Sequence, residues 1–262
     1  MNARTVETKR GAKVRVLEGG RGKPLVFLHG AGGLFGENPF LDRLAERYHV
    51  LAPELPGYGE SRGEELLDDM LDFALHGWDV VAALGVERPH LVGHSMGGAV
   101  ALQFAASNPG RVSSLTLIAP AGFGREVNAA FIDGFVMMER RRDAQEVLRL
   151  LVHEPDLVSR AMVEDVLRYK RLDGVTAALG AIAAEWFPGG RQRSLLGNPL
   201  RTLGTPVQII WGREDRIIPA AHGAAFAGTI PVHTLESAGH LPHMEKSAEV
   251  NRLIAGFIDG TA

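Results

Sequence analysis

Short apolar runs that stop at glycine or proline, most of them followed by a stretch with helical spacing, constrain this chain more than any other feature. Pro24-Leu-Val-Phe-Leu-His-Gly30 is apolar through its first five positions and halts at a glycine, as expected for a strand buried on both faces. Residues 48–53, 89–93, 112–119, 205–211 and 230–235 repeat the pattern. Helical spacing falls at 40–48, 66–84, 96–106, 219–227 and 244–258. Strand alternating with helix at this spacing predicts an α/β fold with a doubly wound, mostly parallel sheet. Residues 5–18 add two short strands joined by a turn at Arg10–Gly11.

The middle of the chain breaks the rhythm. Residues 122–200 favour helix and contain no convincing strand. Val147, Leu148, Leu150 and Leu151, then Met162, Val166, Leu167 and Tyr169, then residues 177–186, read as three amphipathic helices. The expected organisation is therefore a core of residues 1–121 and 201–262, with 122–200 as a helical cap. Such a cap would lie over the C-terminal edge of the sheet, where open α/β sheets bind their ligands. At 262 residues, one domain with an insertion accommodates the whole chain.

Composition removes several function classes. There is no cysteine, which excludes disulfides, thiolate zinc sites and a cysteine nucleophile, and is compatible with a reducing cytoplasm. A net charge of −3 gives no basic excess for a nucleic-acid partner. The cluster Arg140, Arg141 and Arg142 has acids on both sides and reads as a solvated helix face. The N-terminal residues lack the apolar segment of a signal peptide, and no apolar run reaches the roughly 18 residues a bilayer span requires. The expectation is a cytoplasmic monomer or homodimer acting on a small molecule, with no membrane partner.

Gly93-His-Ser-Met-Gly97 carries the strongest chemical signal, because it follows a strand and opens a helix. A serine on so sharp a turn projects its Oγ above the sheet, and side chains at the glycines would collide with neighbouring backbone. The bland alternative is a serine in a tight turn with no catalytic role. A serine hydroxyl needs a base, and His240 in the loop Ser237-Ala-Gly-His-Leu-Pro242 is the candidate, with His233 and His243 as competitors. The imidazole needs an acid to fix its tautomer. Asp215 in Trp211-Gly-Arg-Glu-Asp-Arg-Ile-Ile-Pro219 is favoured over its neighbour Glu214, because Ile217 and Ile218 should tuck the turn against the fold. Backbone amides of Met96, directly after the serine, and of Ala31, in the glycine-rich loop His29-Gly-Ala-Gly-Gly33, are candidates for an oxyanion hole. Phe131, Phe135, Met138 and Trp186 in the expected cap are candidate pocket or core residues, and Leu241 adjoins the base. No P-loop, dinucleotide fingerprint or His-x-x-x-His pair is present, so no cofactor and no metal is implied.

Together PLVFLHGAGG, LAPELPGYGESR, HLVGHSMGGAVAL, LTLIAPAGFG, IIWGREDRIIP and AGHLPHMEK resemble the α/β-hydrolase superfamily over nearly the whole chain. The resemblance implies a triad of Ser95, Asp215 and His240 with oxyanion amides at Ala31 and Met96. APAGFG, FIDGFV and YKRLDGV are similar to the hydrolase-like domain of acetoin-cleaving dihydrolipoamide acetyltransferase components, from which the chain is expected to depart in lacking an N-terminal lipoyl domain. The same regions resemble meta-cleavage C–C hydrolases, although Leu241 stands where those carry tryptophan. Dehalogenases and epoxide hydrolases of this fold use aspartate as nucleophile, which Ser95 argues against. The leading expectation is a serine esterase acting on a small-molecule ester. C–C hydrolysis and acyl or thioester transfer are the alternatives, and a catalytically silent ligand-binding protein is the bland reading.

Overall fold

Period-two alternation divides the core of this molecule into two apolar layers. In the strand Pro24–Leu28, Leu25 and Phe27 join one apolar cluster while Val26 and Leu28 join the other, since successive side chains leave opposite faces of a sheet. All four are at most 2% exposed, which explains the lack of any polar alternation in this run.

The computed structural model describes residues 1–34, 38–61 and 69–260, with only the backbone at positions 198 and 201. Its strands are β1 (Asn2–Glu7), β2 (Lys13–Gly19), β3 (Pro24–Leu28), β4 (His49–Pro53), β5 (His90–His94), β6 (Ser114–Ile118), β7 (Val207–Gly212) and β8 (Val232–Leu235). They form one sheet in the order β1-β2-β4-β3-β5-β6-β7-β8. β2 pairs antiparallel with β1 and β4, and every other pairing is parallel. From β3 the chain steps to β4 on one side and then crosses to β5 on the other. That reversal opens a crevice beyond the C-terminal ends of β3 and β5.

The helices are α1 (Pro39–Ala45), α2 (Met70–Ala83), α3 (Met96–Ser107), α4 (Ala129–Met137), α5 (Arg141–Leu148), α6 (Arg160–Lys170), α7 (Val175–Trp186), α8 (Ala221–Ala224), α9 (Pro242–Glu245) and α10 (Ser247–Gly260). α1 and α10 share an apolar cluster with Leu25 and Phe27, while α2 and α3 share the other with Val26 and Leu28. Seven of the twelve residues of α3 are glycine, alanine or serine, which lets it lie close to the sheet. Trp78 of α2 stacks on Phe104 of α3 at 3.9 Å between centroids and donates its indole N–H to the Phe104 carbonyl at 3.1 Å.

Several elements differ from expectation. α2 starts after a capping box, in which the Asp69 carboxylate accepts from Leu71 and Asp72 amides and Asp72 reaches back to Asp69 N–H. Residues 66–68 of the expected helix lie outside the described residues. The stretch 219–227 yields only the single turn α8, and 244–258 is split into α9 and α10 at Lys246 (φ −123°, ψ 41°). Between β6 and β7 the described residues form four helices, α4 to α7, where three are expected. α4 is the addition, capped by Asn128 accepting from Phe131 N–H. The Val147–Leu151 apolar set is the end of α5 plus one turn of 3-10 helix. Arg141 and Arg142 are exposed and pair with Glu164 and Glu146. No helix among the described residues is long and apolar enough to cross a membrane.

Candidate active site

Ser95 is the hinge between β5 and α3, with φ 53° and ψ −117°, a conformation that costs an L-residue free energy. Backbone bonds hold it there. Ser95 N–H donates to Ile118 O at 2.9 Å, and Ser95 O accepts from Gly98 and Ala121 N–H at 3.0 Å each. The flanking glycines make room: a Cβ at Gly93 would lie 2.4 Å from Gly97 O, and one at Gly97 would lie 2.2 Å from Leu28 O. The G-x-S-x-G spacing is therefore a packing requirement of a strand and a helix in backbone contact.

Two loops bring partners to this hinge. His240, after β8, receives the Ser95 hydroxyl at Nε2 (2.8 Å) and donates from Nδ1 to Asp215 Oδ2 (2.7 Å). Asp215 follows β7, and its carboxylate is fully buried. Oδ2 also accepts from Trp211 Nε1–H at 2.9 Å, while Oδ1 accepts from Ile217 and Ile218 N–H at 2.8 and 3.0 Å. Both oxygens are thus saturated, as burial of a carboxylate demands. Glu214 is turned elsewhere and accepts from Ala238 N–H at 3.0 Å. Of the competing histidines, His243 is buried against Phe40 and Phe27, and His233 lies within β8.

Ala31 and Met96 both line an apolar chamber beside the serine. Met96 opens α3, where the first amides have no intrahelical acceptor. Two tyrosines buttress these positions: Tyr169 OH donates to Ala31 O at 3.2 Å, and Tyr58 OH points to Met96 Sδ at 3.6 Å. Burial raises the pKa of both phenols, keeping them as donors.

The cleft over Ser95 is lined by Gly30, Ala31, Phe131, Leu151 and Leu241 among others. The adjoining chamber shares Ala31 and Phe131 with it and adds Phe135, Leu179 and Ile182. Phe131, Phe135 and Leu241 therefore reach the site. Met138 and Trp186 line neither space. Phe131 and Phe135 are four apart on one face of α4, but the helix ends before Met138, whose extended backbone (ψ 128°) carries it off that face. Trp186, at the end of α7, packs edge-on against Phe73 of α2 at 5.3 Å.

Two buried histidines not singled out from the sequence, His29 and His94, join His243 around the relay. His94 Nε2–H donates to His240 O at 2.8 Å, and its ring lies 5.0 Å from His240 and 4.5 Å from His243. Burial, followed by the neighbouring imidazoles, pushes its pKa well below the ordinary value. His29 donates from Nδ1 to Gly30 O and accepts from Leu55 N–H at Nε2, which ties the glycine loop to the loop after β4. Burial takes His29 down to about 4 and His243 down to about 3. The available signals are positional: His94 is the first x of G-x-S-x-G, and His29 opens the glycine loop.

A strand–serine–helix hinge joined to His240 and Asp215 at the switch point of such a sheet defines a class, and residues 25–253 match the model of the alpha/beta hydrolase family. The chain belongs to that family. It is 42% identical over 255 residues to the dihydrolipoyllysine-residue acetyltransferase component of the acetoin cleaving system from Cupriavidus necator, covering 95% of this chain and 67% of that protein. The chain thus spans about two thirds of that relative's length. It is 29% identical to a 2-hydroxymuconate semialdehyde hydrolase from Pseudomonas putida, over 95% of this chain and 91% of that one. A meta-cleavage product hydrolase from Pseudomonas fluorescens IP01 superimposes with a TM-score of 0.86 at 23% identity, over 99% and 98% of the two chains, a likeness of fold.

Proposed function

We propose that this protein is a serine hydrolase that cleaves small carboxylic esters through an acyl-enzyme intermediate. The observation that carries the reading is the unbroken relay Asp215–His240–Ser95, with contacts of 2.7 and 2.8 Å, opening into a cleft whose wall includes Phe131, Leu151 and Leu241. His240 Nδ1–H is fixed on Asp215, so Nε2 is the free acceptor and takes the Oγ proton as Ser95 attacks the ester carbonyl. The imidazolium then returns that proton to the departing alkoxide. Water, activated by the same Nε2, releases the acid. The amides of Ala31 and Met96 receive the negative charge of the tetrahedral intermediates. The inserted helices act as a cap, because Phe131 and Leu151 wall the cleft above the serine. Purified protein is expected to turn over a short p-nitrophenyl ester, and Ser95→Ala to abolish it. Absence of turnover in the folded wild type would overturn the reading.

The 42% identity to an acetyltransferase component supports a second reading. The same acyl-enzyme would pass its acyl group to a thiol in place of water. Adding a free dithiol to the ester assay distinguishes the two: acyl transfer gives an acylated thiol and faster release of nitrophenol when deacylation is limiting. C–C hydrolysis is less favoured, because Leu241, not tryptophan, stands beside His240 in the cleft wall.

A further inference from the structure

The loop that carries His240 is bonded to the inserted layer as well as to the sheet side of the molecule. Leu151 O, in the turn after α5, accepts from His240 N–H at 2.7 Å and from Leu241 N–H at 3.1 Å. Glu245, at the end of α9, spans the same junction. Its Oε1 accepts from Gly239 N–H and its Oε2 from His153 N–H, each at 2.7 Å. The two segments meet backbone to backbone: a Cβ at Gly239 would lie 2.8 Å from the Val152 carbonyl carbon and 2.9 Å from Leu151 O. From the core, His94 grips the His240 carbonyl. Leu151 also walls the cleft, so the segment that touches the loop of the base also borders the space above the serine.

We propose that Glu245 is a positioning residue for His240, locking its loop to residues 151–153 so that alignment of the base depends on seating of the inserted helices. The proposal rests on the reading of His240 as the base. Its chemistry is specific to a carboxylate. Two amide N–H groups, one from each segment, need one acceptor oxygen each, and charge-assisted bonds of this kind are stronger than neutral ones. Glutamine has the same shape but a single acceptor oxygen, so its NH₂ would face one of the two amides donor to donor. The loop is then free to shift, and a displacement of about 1 Å in a catalytic group costs on the order of 100-fold in rate.

The test compares wild type, Glu245→Gln, Gly239→Ala and His240→Ala on a p-nitrophenyl ester, with active serines counted by fluorophosphonate titration. Gly239→Ala drives the same two segments apart by a different route, and carries the test if Glu245→Gln fails to fold. Per titrated site, both positioning variants are expected to lose roughly 10- to 100-fold in kcat with KM changed less than about twofold. A purely structural role would lower Tm and the number of titrated sites while leaving kcat per site unchanged, and that result overturns the proposal. If His240→Ala retains activity, the reading of the base itself has failed. If His240→Ala is inactive and the other two variants keep wild-type kcat, only the role of Glu245 falls.

Discussion

Ser95 Oγ is the atom toward which His240 Nε2 is directed, at 2.8 Å, and its removal leaves the surrounding backbone bonds in place. Ser95→Ala is therefore expected to lower kcat on an aryl ester by roughly 10⁴-fold or more with little change in Tm. Near-wild-type turnover in the folded variant would rule out the mechanism. The acid is tested by rank. In Asp215→Asn an amide NH₂ must face at least one of the donors Trp211 Nε1–H, Ile217 N–H, Ile218 N–H or His240 Nδ1–H, which disorders the relay. A loss approaching 10⁴-fold is expected, against a small one for Glu214→Gln, whose carboxylate serves Ala238 N–H. Steady-state kinetics on both variants decides, and a reversed rank would exchange the two acids. At this scale the meeting of Ser95, Asp215 and His240 is legible in the sequence, because each lies in the turn or loop that follows a strand, within recognisable turn chemistry. Tyr169 on Ala31 and Leu151 on His240 are not legible. Those contacts join residues 138 and 89 positions apart, and nothing in their local sequence marks them.

The elements around the cleft divide the work between pocket and scaffold. Phe135 of α4 faces the chamber beside Ser95, whereas Trp186 of α7 fills space against α2. Phe135→Ala is expected to shift ester preference toward longer acyl chains by about 1–3 kcal/mol in kcat/KM discrimination. Trp186→Ala is expected to leave the chain-length profile unchanged and to lower stability by about 3–5 kcal/mol. A C2-to-C10 ester series, with denaturant unfolding of both variants, checks the two halves, and a profile altered by Trp186→Ala would return that residue to the pocket. α4 is itself anchored by a side chain of another helix. Lys170 Nζ, in α6, donates to the carbonyls of Phe135, Val136 and Met138 at 2.5, 3.0 and 2.9 Å, satisfying the C-terminal end that a helix leaves open. The strands are legible because runs such as Pro24–Leu28 are apolar on both faces. α4 is not, because it is short, contains Gly134 and has its C-terminal carbonyls held by a lysine 32 to 35 residues away.

The molecule as a whole places three uncharged imidazoles, His29, His94 and His243, in its interior beside the relay. Burial sets the direction of each shift, down to about 4 for His29, down to about 3 for His243 and well below the ordinary value for His94. An unfolded chain binds these protons near pH 6.5, the folded one only at much lower pH. Their contribution to stability is therefore complete above about pH 6.5 and is lost as the pH falls from there toward the folded-state values. Each group costs about 1.4 kcal/mol per pH unit within that window. Glu54 and Glu245, raised by burial, work in the opposite sense and soften the slope. Two pH units on His29 and His243 alone come to about 5–6 kcal/mol, comparable with the lower end of the stability of a typical domain, about 5–15 kcal/mol, so cooperative unfolding is expected in mild acid. His243→Phe isolates one member of the set. The ring packs at 5.2 Å against Phe40 and 6.0 Å against Phe27, and its Nδ1 has no hydrogen-bond partner among the described residues, so an apolar ring suits the site. Tm measured from pH 7.5 to 4.5 should fall less steeply in this variant than in wild type, with the two curves diverging only below about pH 6.5. Parallel curves across the whole range would mean that His243 takes no part in acid unfolding.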